Sequence, residues 1–277
     1  MTLQTYNMAP AVAAFSTTRE GGHSRGNYSS FNVNPYCGDD PEAVRQNRKM
    51  LCTSLGISSD KLIIPHQIHG TEVKLIDNQF LEQYKQEIVN EETGNENSPS
   101  LEGIDALITS QSGVCISVST ADCIPILLYD SIHHAIAAVH AGWRGTAANI
   151  VGKTIEAMNR EFGTEGKDCK AVIGPGISID SFEVGEEVYE KFAEAGFHMP
   201  DIARRYSVLN APPSLFATKW HIDLPEANRI QLMEKNVSAD SIMNSNICTY
   251  KNSDTYFSAR KLGTYSGRIL TGIMMNK

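Results

Sequence analysis

The sequence predicts a single-domain α+β protein. Short apolar runs typical of strands and amphipathic segments typical of helices follow one another without strict βαβ alternation. No internal repeat or clear linker divides the 277 residues, and a chain of this length can bury a sizeable core. We therefore expect one domain over residues 1–277.

Composition and charge exclude several classes of function. The chain is 41 % apolar and 20 % charged, with a net charge of −8. A net acidic chain is a poor partner for nucleic acid or an anionic membrane, although one or two arginines can still bind a small anion. The sequence contains no run of about 18 apolar residues, so we expect no membrane span. The first apolar run lacks a preceding Lys or Arg, so we expect no secretory signal. The six scattered cysteines then favour free thiols and a cytoplasmic location.

The first elements are a strand, a polar loop and a helix. Residues 11–17 form a short apolar strand that leads into a Gly/Ser-rich loop containing Arg19. Composition alone favours a plain surface turn for this loop. Asp40 and Pro41 are typical of a helix N-cap and first helical residue, and Gly56 of a helix end.

Two histidines follow the next strand, which spans residues 62–65. His66 and His69 could contribute to a metal or catalytic site, although a histidine without further context is more often structural. Residues 73–76 form another strand. Residues 79–102 are polar and rich in turn-forming residues, which predicts an exposed, flexible insertion rather than a domain linker.

A β-hairpin places a cysteine beside a histidine. After strands over residues 105–109 and 114–119, two apolar runs cover residues 124–129 and 135–139. If the turn centres near residue 132, residue i pairs with residue 264 − i, so His140 lies opposite Ile124 and Cys123 opposite Ala141. Cys123 and His140 are therefore expected to be near neighbours, even if the register slips by one residue.

A glycine-rich turn follows the hairpin. Thr146 is predicted to cap a helix that ends at Gly163. Such a helix N-terminus beside Arg144 is a natural anion site. Alternatively, the glycines only permit a tight turn and Trp143 packs in the core, and both interpretations stay open.

The C-terminal part reads as mixed strands and helices. We expect a strand over residues 171–173, a helix over 185–195, irregular chain over 197–219, and a strand-like run at 221–224 that enters a helix ending near 235. Residues 248–250 and 256–258 resemble strand ends, and residues 268–275 a final strand.

Cys123 and His140 as neighbours support two chemistries. One is a thiolate–imidazole pair for nucleophilic catalysis. The other is a transition-metal site with an open position, with His69 or His66 as third ligand. The spacing matches no short zinc motif, so both remain open on the residues alone.

Several segments carry a resemblance to a known family. The segments STADCIPILLYD and AAVHAGWRGT, with QIHGTEV upstream, resemble signatures of the YfiH family, also labelled multicopper polyphenol oxidoreductase laccase and peptidoglycan editing factor. The similarity spans almost the whole chain. Two departures are Phe31-Asn32-Val33-Asn34, where the family pattern has FNLG, and Ser258-Ala259-Arg260-Lys261, where it has SxRRD.

The resemblance implies a site, a fold and an activity. It implies a zinc site on His69, Cys123 and His140, so it selects His69 over His66. It implies a four-layer α/β/β/α sandwich with mixed sheets. It also implies phosphorolysis of adenosine, inosine, guanosine and methylthioadenosine, and deamination of adenosine. Zinc would then bring the pKa of a bound water to about 7 for attack on the purine.

Further roles are hypotheses. Arg144, the helix start at Thr146 and Arg19 are candidates for binding phosphate near the ribose C1′. Asp122, beside the cysteine, could support a ligand, assist proton transfer or cap the turn.

Three other functions compete with purine chemistry. A copper polyphenol oxidase is one, although the chain has no H-x-H pair of the kind that multicopper laccases use. A metal-free hydrolase or amidase acting on cell-wall precursors, with Cys123 as nucleophile and His140 as base, is the second. A zinc-stabilised binding module without turnover is the third.

Overall fold

The computed structural model describes residues 1–91, 101–207 and 218–276. The helices in this part of the chain are α1 (Pro41–Leu55), α2 (Asn78–Glu91), α3 (Trp143–Ala147), α4 (Ile150–Phe162), α5 (Glu186–Glu194), α6 (Met199–Ile202), α7 (Leu224–Glu234) and α8 (Ala259–Leu262). The strands are β1 (Leu3–Thr5), β2 (Val12–Thr17), β3 (Leu62–Ile63), β4 (Val73–Leu75), β5 (Ala106–Thr109), β6 (Cys115–Thr120), β7 (Ile124–Asp130), β8 (Ala135–Ala141), β9 (Cys169–Ile173), β10 (Glu183–Val184), β11 (Ala203–Ser207), β12 (Thr218–Ile222), β13 (Ile242–Asn244) and β14 (Ile269–Met275).

Two large mixed sheets and one small sheet organise these strands. The five-stranded sheet has the order β1-β2-β14-β6-β3, and the six-stranded sheet has the order β13-β9-β7-β8-β5-β4. Most neighbours are antiparallel, but β3 runs parallel to β6, β4 to β5, and β13 to β9. The strands β10, β12 and β11 form, in that order, a third and smaller antiparallel sheet. The prediction of a single-domain α+β fold with mixed sheets is confirmed.

Three apolar clusters cover the faces of the two large sheets. One lies between α1 and the five-stranded sheet, with Phe15, Leu51 and Leu270 among its buried members. A second joins the facing sides of the two sheets. The third packs the other face of the six-stranded sheet against α4, α5, α6 and α7. The full four-layer description stays an expectation from the family resemblance.

The hairpin of β7 and β8 lies in the middle of the six-stranded sheet, and every residue of both strands is buried. Its register differs by one residue from the prediction, because Ile124 pairs with Ala141 and Pro125 with His140. The reason is the turn: Asp130 still belongs to the strand and pairs with Ala135, while its Oδ1 accepts the N–H groups of Ile132 and His133. Cys123 therefore lies one residue before Ile124, just outside the last pair of the hairpin.

The helix predicted to start at Thr146 is divided in two. Thr146 lies inside α3, whose N-cap is Gly142. The longer helix α4 has Asn149 as its N-cap, in a left-handed conformation, with a side chain that accepts the N–H of Gly152. The predicted end at Gly163 is confirmed. The N-cap prediction for Thr146 is wrong because Asn149 interrupts the helix and caps the second part.

Several other predictions need correction. Residues 79–91, expected to be part of an exposed and flexible insertion, belong to α2, whose Phe80, Leu81 and Tyr84 are buried. The rest of the predicted insertion, up to residue 100, lies outside the described residues. Residues 199–207, expected to be irregular, form α6 and β11, and 208–217 are again outside. Residues 249–250 form a turn, and Ser258 is the N-cap of α8.

The predicted limits of α1 are confirmed. Asp40 caps the helix by accepting the N–H of Glu42, Pro41 is the first helical residue, and Gly56 ends it in a left-handed conformation. Across the described ranges, no helix is both long enough and apolar enough to cross a membrane.

Candidate metal centre

Three side chains from separate elements meet at one end of the hairpin. His69 lies in the loop between β3 and β4, Cys123 directly precedes β7, and His140 is near the end of β8. One ligand atom of each residue lies within 4.8 Å of the other two. The two imidazole rings contact edge to face, with centroids 4.8 Å apart. The hairpin brings Cys123 and His140 together, and the loop adds His69.

The site is closed on one side and open on the other. His140 is buried, Cys123 is half-buried and His69 is exposed. Gly142 packs against the site so tightly that a Cβ there would lie 3.0 Å from Cys123 Sγ. The site is therefore confined at Gly142 and His140 and exposed at His69.

Asp105 lies directly behind the two histidines. Its Oδ1 accepts a 2.7 Å hydrogen bond from Nδ1 of His140, which leaves Nε2 to face the centre. The same carboxylate accepts the backbone N–H groups of Ile68, His69 and Gly70. The sequence interpretation missed Asp105, because an acidic residue at the start of a buried strand carries no local sign of its partners.

The two buried members of the site shift each other's ionisation. Burial alone would raise the pKa of the Cys123 thiol, but the adjacent His140 charge and hydrogen bonds from both histidines outweigh it and lower the pKa to about 6. For His140, burial opposes the charged form, but the Cys123 thiolate and Asp105 raise its pKa to about 9. Without metal, the pair therefore favours thiolate and imidazolium near neutral pH.

His66 lies apart from this group. Its Nδ1 is 2.7 Å from a carboxylate oxygen of Glu102, and its ring stacks on Tyr36 at 4.6 Å. Of the two histidines, only His69 is in the cluster with Cys123 and His140.

Asp122 serves as an anchor for a distant loop. It is buried and has a positive φ of 94°. Its Oδ1 accepts the hydroxyl of Thr249, and its Oδ2 accepts the N–H of Arg260, each at 2.7 Å. Its carbonyl accepts the N–H of Ile177. These contacts join the chain before β7 to Ile177 after β9, to Thr249 and to the first turn of α8.

Arg19 holds two loops together. Its Nε donates to the carbonyl of Ser29 and its Nη1 to the carbonyl of Ser253, while the guanidinium lies over the ring of Phe257. These bonds use two of its three guanidinium nitrogens, and they connect the loop at Ser29 to the loop at Ser253.

Arg144 and Thr146 have contrasting surroundings. Arg144 is exposed, and its guanidinium carbon lies 4.3 Å from the ring centroid of Trp143. Thr146 is fully buried, its hydroxyl accepts from Asn228 and its carbonyl accepts from Gln231. The phosphate-binding hypothesis for Thr146 loses its basis, because this residue neither starts a helix nor reaches the surface.

The donor set fits a divalent transition metal. Two imidazole nitrogens and a thiolate leave one position open, which is the arrangement of catalytic rather than structural zinc sites. A carboxylate behind one histidine is a common support of such ligands. The same soft and borderline donors can also hold copper, so the donors alone do not select the metal.

Comparisons with known proteins identify the family. The family model described as "Multi-copper polyphenol oxidoreductase laccase" matches residues 13–276. A purine nucleoside phosphorylase from Bacteroides thetaiotaomicron is 48 % identical over 266 residues, covering 96 % of this chain and 92 % of that protein. Adenosine deaminase RL5 from an unknown prokaryotic organism is 41 % identical over 264 residues, covering 95 % and 93 %.

A solved structure shows the same fold. The YfiH protein of Bacillus licheniformis, described as hypothetical, superposes with a TM-score of 0.84 at 23 % identity and covers 99 % of this chain and 96 % of its own. With the family match and the two relatives, the conclusion is direct: the chain belongs to the YfiH family of laccase-domain proteins.

Proposed function

We propose that this YfiH-family chain is a zinc-dependent purine nucleoside enzyme. It phosphorolyses adenosine, inosine, guanosine and methylthioadenosine, and it deaminates adenosine. The observation that carries the proposal is the open ligand group of His69, Cys123 and His140 in a chain whose close relatives are named for these two reactions. A cytoplasmic location, expected from the sequence, is part of the same proposal.

His69, Cys123 and His140 would hold the metal, and Asp105 would keep Nε2 of His140 directed at it. When bound, zinc supplies Lewis-acid polarisation at the open side of the site. In phosphorolysis, a phosphate oxygen forms a bond to the ribose C1′ while the bond to the purine nitrogen breaks, and the purine takes up a proton. In deamination, water adds at the purine C6 and ammonia leaves.

Phosphate needs a positive group near the open side. Arg144 is the candidate because it is exposed and lies two residues after Gly142, which packs against both His69 and Cys123. A guanidinium can bind a phosphate through two parallel hydrogen bonds. Arg19 has a weaker claim, because its Nε and Nη1 already bind carbonyl oxygens.

A nucleoside screen tests the proposal. Zinc-loaded protein is incubated with each of the four nucleosides, with and without phosphate, and the products are separated by chromatography. We expect free base and ribose 1-phosphate derivatives only with phosphate, inosine from adenosine without it, and neither after chelation. Zinc-loaded protein that converts none of the nucleosides would overturn the proposal.

A cysteine hydrolase is the second candidate function, and the thiolate–imidazolium pair of Cys123 and His140 favours it. Full activity on an amide substrate after exhaustive chelation would support it.

The family description instead favours copper and phenols. The described residues contain a single His/Cys/carboxylate group able to hold a metal, which suits one copper ion but no cluster. Oxygen uptake with a phenol by copper-loaded protein would support that function.

A further inference from the structure

We propose that Asp105 is a positioning residue that fixes both histidines of the centre before any metal binds. This inference rests on the metal centre proposed above. It adds that the ligand geometry is built into the metal-free fold through one carboxylate. Both carboxylate oxygens of Asp105 are bonded to protein groups, so it acts through the His69 loop and through His140.

Asp105 fixes the orientation of the His140 ring. Nδ1 of His140 lies 2.7 Å from Asp105 Oδ1, and both side chains are almost completely buried. Since the carboxylate can only accept, the proton must lie on Nδ1 and the imidazole ring cannot rotate freely. Nε2 is then held toward Cys123 and His69.

Asp105 also fixes the loop that carries His69. Three successive backbone N–H groups converge on the same carboxylate, with His69 N bonded to Oδ1 and Gly70 N to Oδ2. His69 itself has a φ of +64°, a left-handed conformation that non-glycine residues seldom adopt. A concave run of N–H groups of this kind binds an anion, and the buried charge offsets the conformational cost.

Asp105 is itself immobile. Its N–H donates to the carbonyl of Glu72, and its carbonyl accepts the N–H of His140. These bonds lie at the start of β5, between β4 on one side and β8 on the other. The carboxylate therefore has a fixed position relative to the strand that carries His140, and it transfers that position to the His69 loop.

An asparagine at position 105 cannot replace this arrangement. If its amide oxygen takes the place of Oδ1, its NH₂ group faces the N–H groups of Ile68 and Gly70, and the His69 loop is repelled. If the amide is reversed, its NH₂ faces His69 N–H and Nδ1 of His140, which then accepts and carries its proton on Nε2. Either orientation removes one histidine from the ligand set.

Asp130 provides a matched control at the other end of the same hairpin. It is also completely buried, it also lies 2.7 Å from a histidine Nδ1, and it also accepts two backbone N–H groups of a turn. Seven residue pairs of the hairpin separate the two ends, roughly 20 Å at the usual rise per residue. Asp130→Asn therefore disturbs a similar network without touching the metal ligands.

The experiment compares the metal affinity of wild type, Asp105→Asn and Asp130→Asn by competition with a chromophoric zinc chelator. Co²⁺ loading adds a thiolate charge-transfer band that reports whether Cys123 still binds. We expect Asp105→Asn to bind zinc about 10- to 100-fold more weakly, with an altered Co²⁺ spectrum, and Asp130→Asn to match wild type. Equal zinc affinity in wild type and Asp105→Asn would overturn the inference. Wild type that binds no metal would instead overturn the proposed centre.

A second measurement needs no variant. In the metal-free wild type, we expect the amide hydrogens of Ile68, His69 and Gly70 to exchange slowly, although Ile68 and His69 are exposed. Slow exchange follows because each of these amides donates to a buried carboxylate. Rapid exchange at all three amides would show that the loop is not fixed before metal binding, even if Asp105→Asn fails to fold.

Discussion

Gly142 packs so closely against His69 that a Cβ built on Gly142 would lie 2.8 Å from Cδ2 of the imidazole. Its backbone angles, φ −70° and ψ 169°, are open to any residue. The need for glycine therefore comes from the space that the two ligands occupy.

Gly142→Ala is expected to displace His69 or Cys123 and to weaken metal binding and nucleoside turnover by roughly 10-fold or more, as ligand displacement does. Chelator competition and the chromatographic assay measure these effects. Gly185→Ala is the matched control, because Gly185 is also an N-cap with nearly the same angles and the atoms nearest to its new Cβ belong to the exposed carboxylate of Glu187. Unchanged zinc affinity in Gly142→Ala would contradict the close packing.

The reactivity of Cys123 should depend on pH in an unusual way. In metal-free protein we expect iodoacetamide to modify Cys123 with a midpoint near pH 6, well below the ~8.5 of an ordinary thiol. Peptide mapping separates Cys123 from the other five cysteines. His140→Ala should move the midpoint upward, and added zinc should protect the thiol. A midpoint above about 8 in the wild type would refute the thiolate–imidazolium pair.

The same pair predicts the pH dependence of stability without metal. The lowered pKa of Cys123 stabilises the folded state fully above its unfolded value of ~8.5, and this contribution is lost as pH falls through about 6. The raised pKa of His140 stabilises fully below its unfolded value of ~6.5, and this contribution is lost as pH rises through about 9. Because each contribution is full where the other is lost, their sum should be highest between about pH 6.5 and 8.5 and fall only slightly on either side, which denaturant titrations of the chelated protein can measure.

Local patterns predicted the hairpin but not its supports. Cys123 and His140 are neighbours because a tight turn brings the ends of two adjacent strands together, and this held although the register was one residue off. The third ligand came from a family resemblance, since no periodicity links His69 to the hairpin.

Asp105 was missed because its contacts join residues 35 and 36 positions apart, and such pairing depends on the sheet order. The helix α2 was missed because, among its residues 78–87, only Phe80, Leu81 and Tyr84 are buried.

Arg144 should matter for one reaction and not for the other. Arg144→Ala is expected to raise the KM for phosphate in phosphorolysis by about 10-fold, the value of one charge-assisted hydrogen bond, and to leave adenosine deamination unchanged. Arg160→Ala, an exposed arginine at the C-terminal end of α4, is the control for a lost surface charge. Initial rates at varied phosphate concentrations give the KM for phosphate in wild type and in both variants. An unchanged KM for phosphate in Arg144→Ala would show that a residue other than Arg144 binds the phosphate.

A pair of substitutions distinguishes an anchoring role of Asp122 from a role in proton transfer. Asp122→Asn can keep both side-chain contacts, because its amide oxygen accepts the N–H of Arg260 while the Thr249 hydroxyl turns to accept from its NH₂ group. Asparagine also tolerates the positive φ of 94°. If Asp122 is an anchor, this variant should stay within about 0.5 kcal/mol and twofold of wild type in stability and turnover. Asp122→Ala loses both contacts and should be less stable by about 2–4 kcal/mol in urea titrations. Normal stability with lost turnover in Asp122→Asn would instead assign the carboxylate to proton transfer.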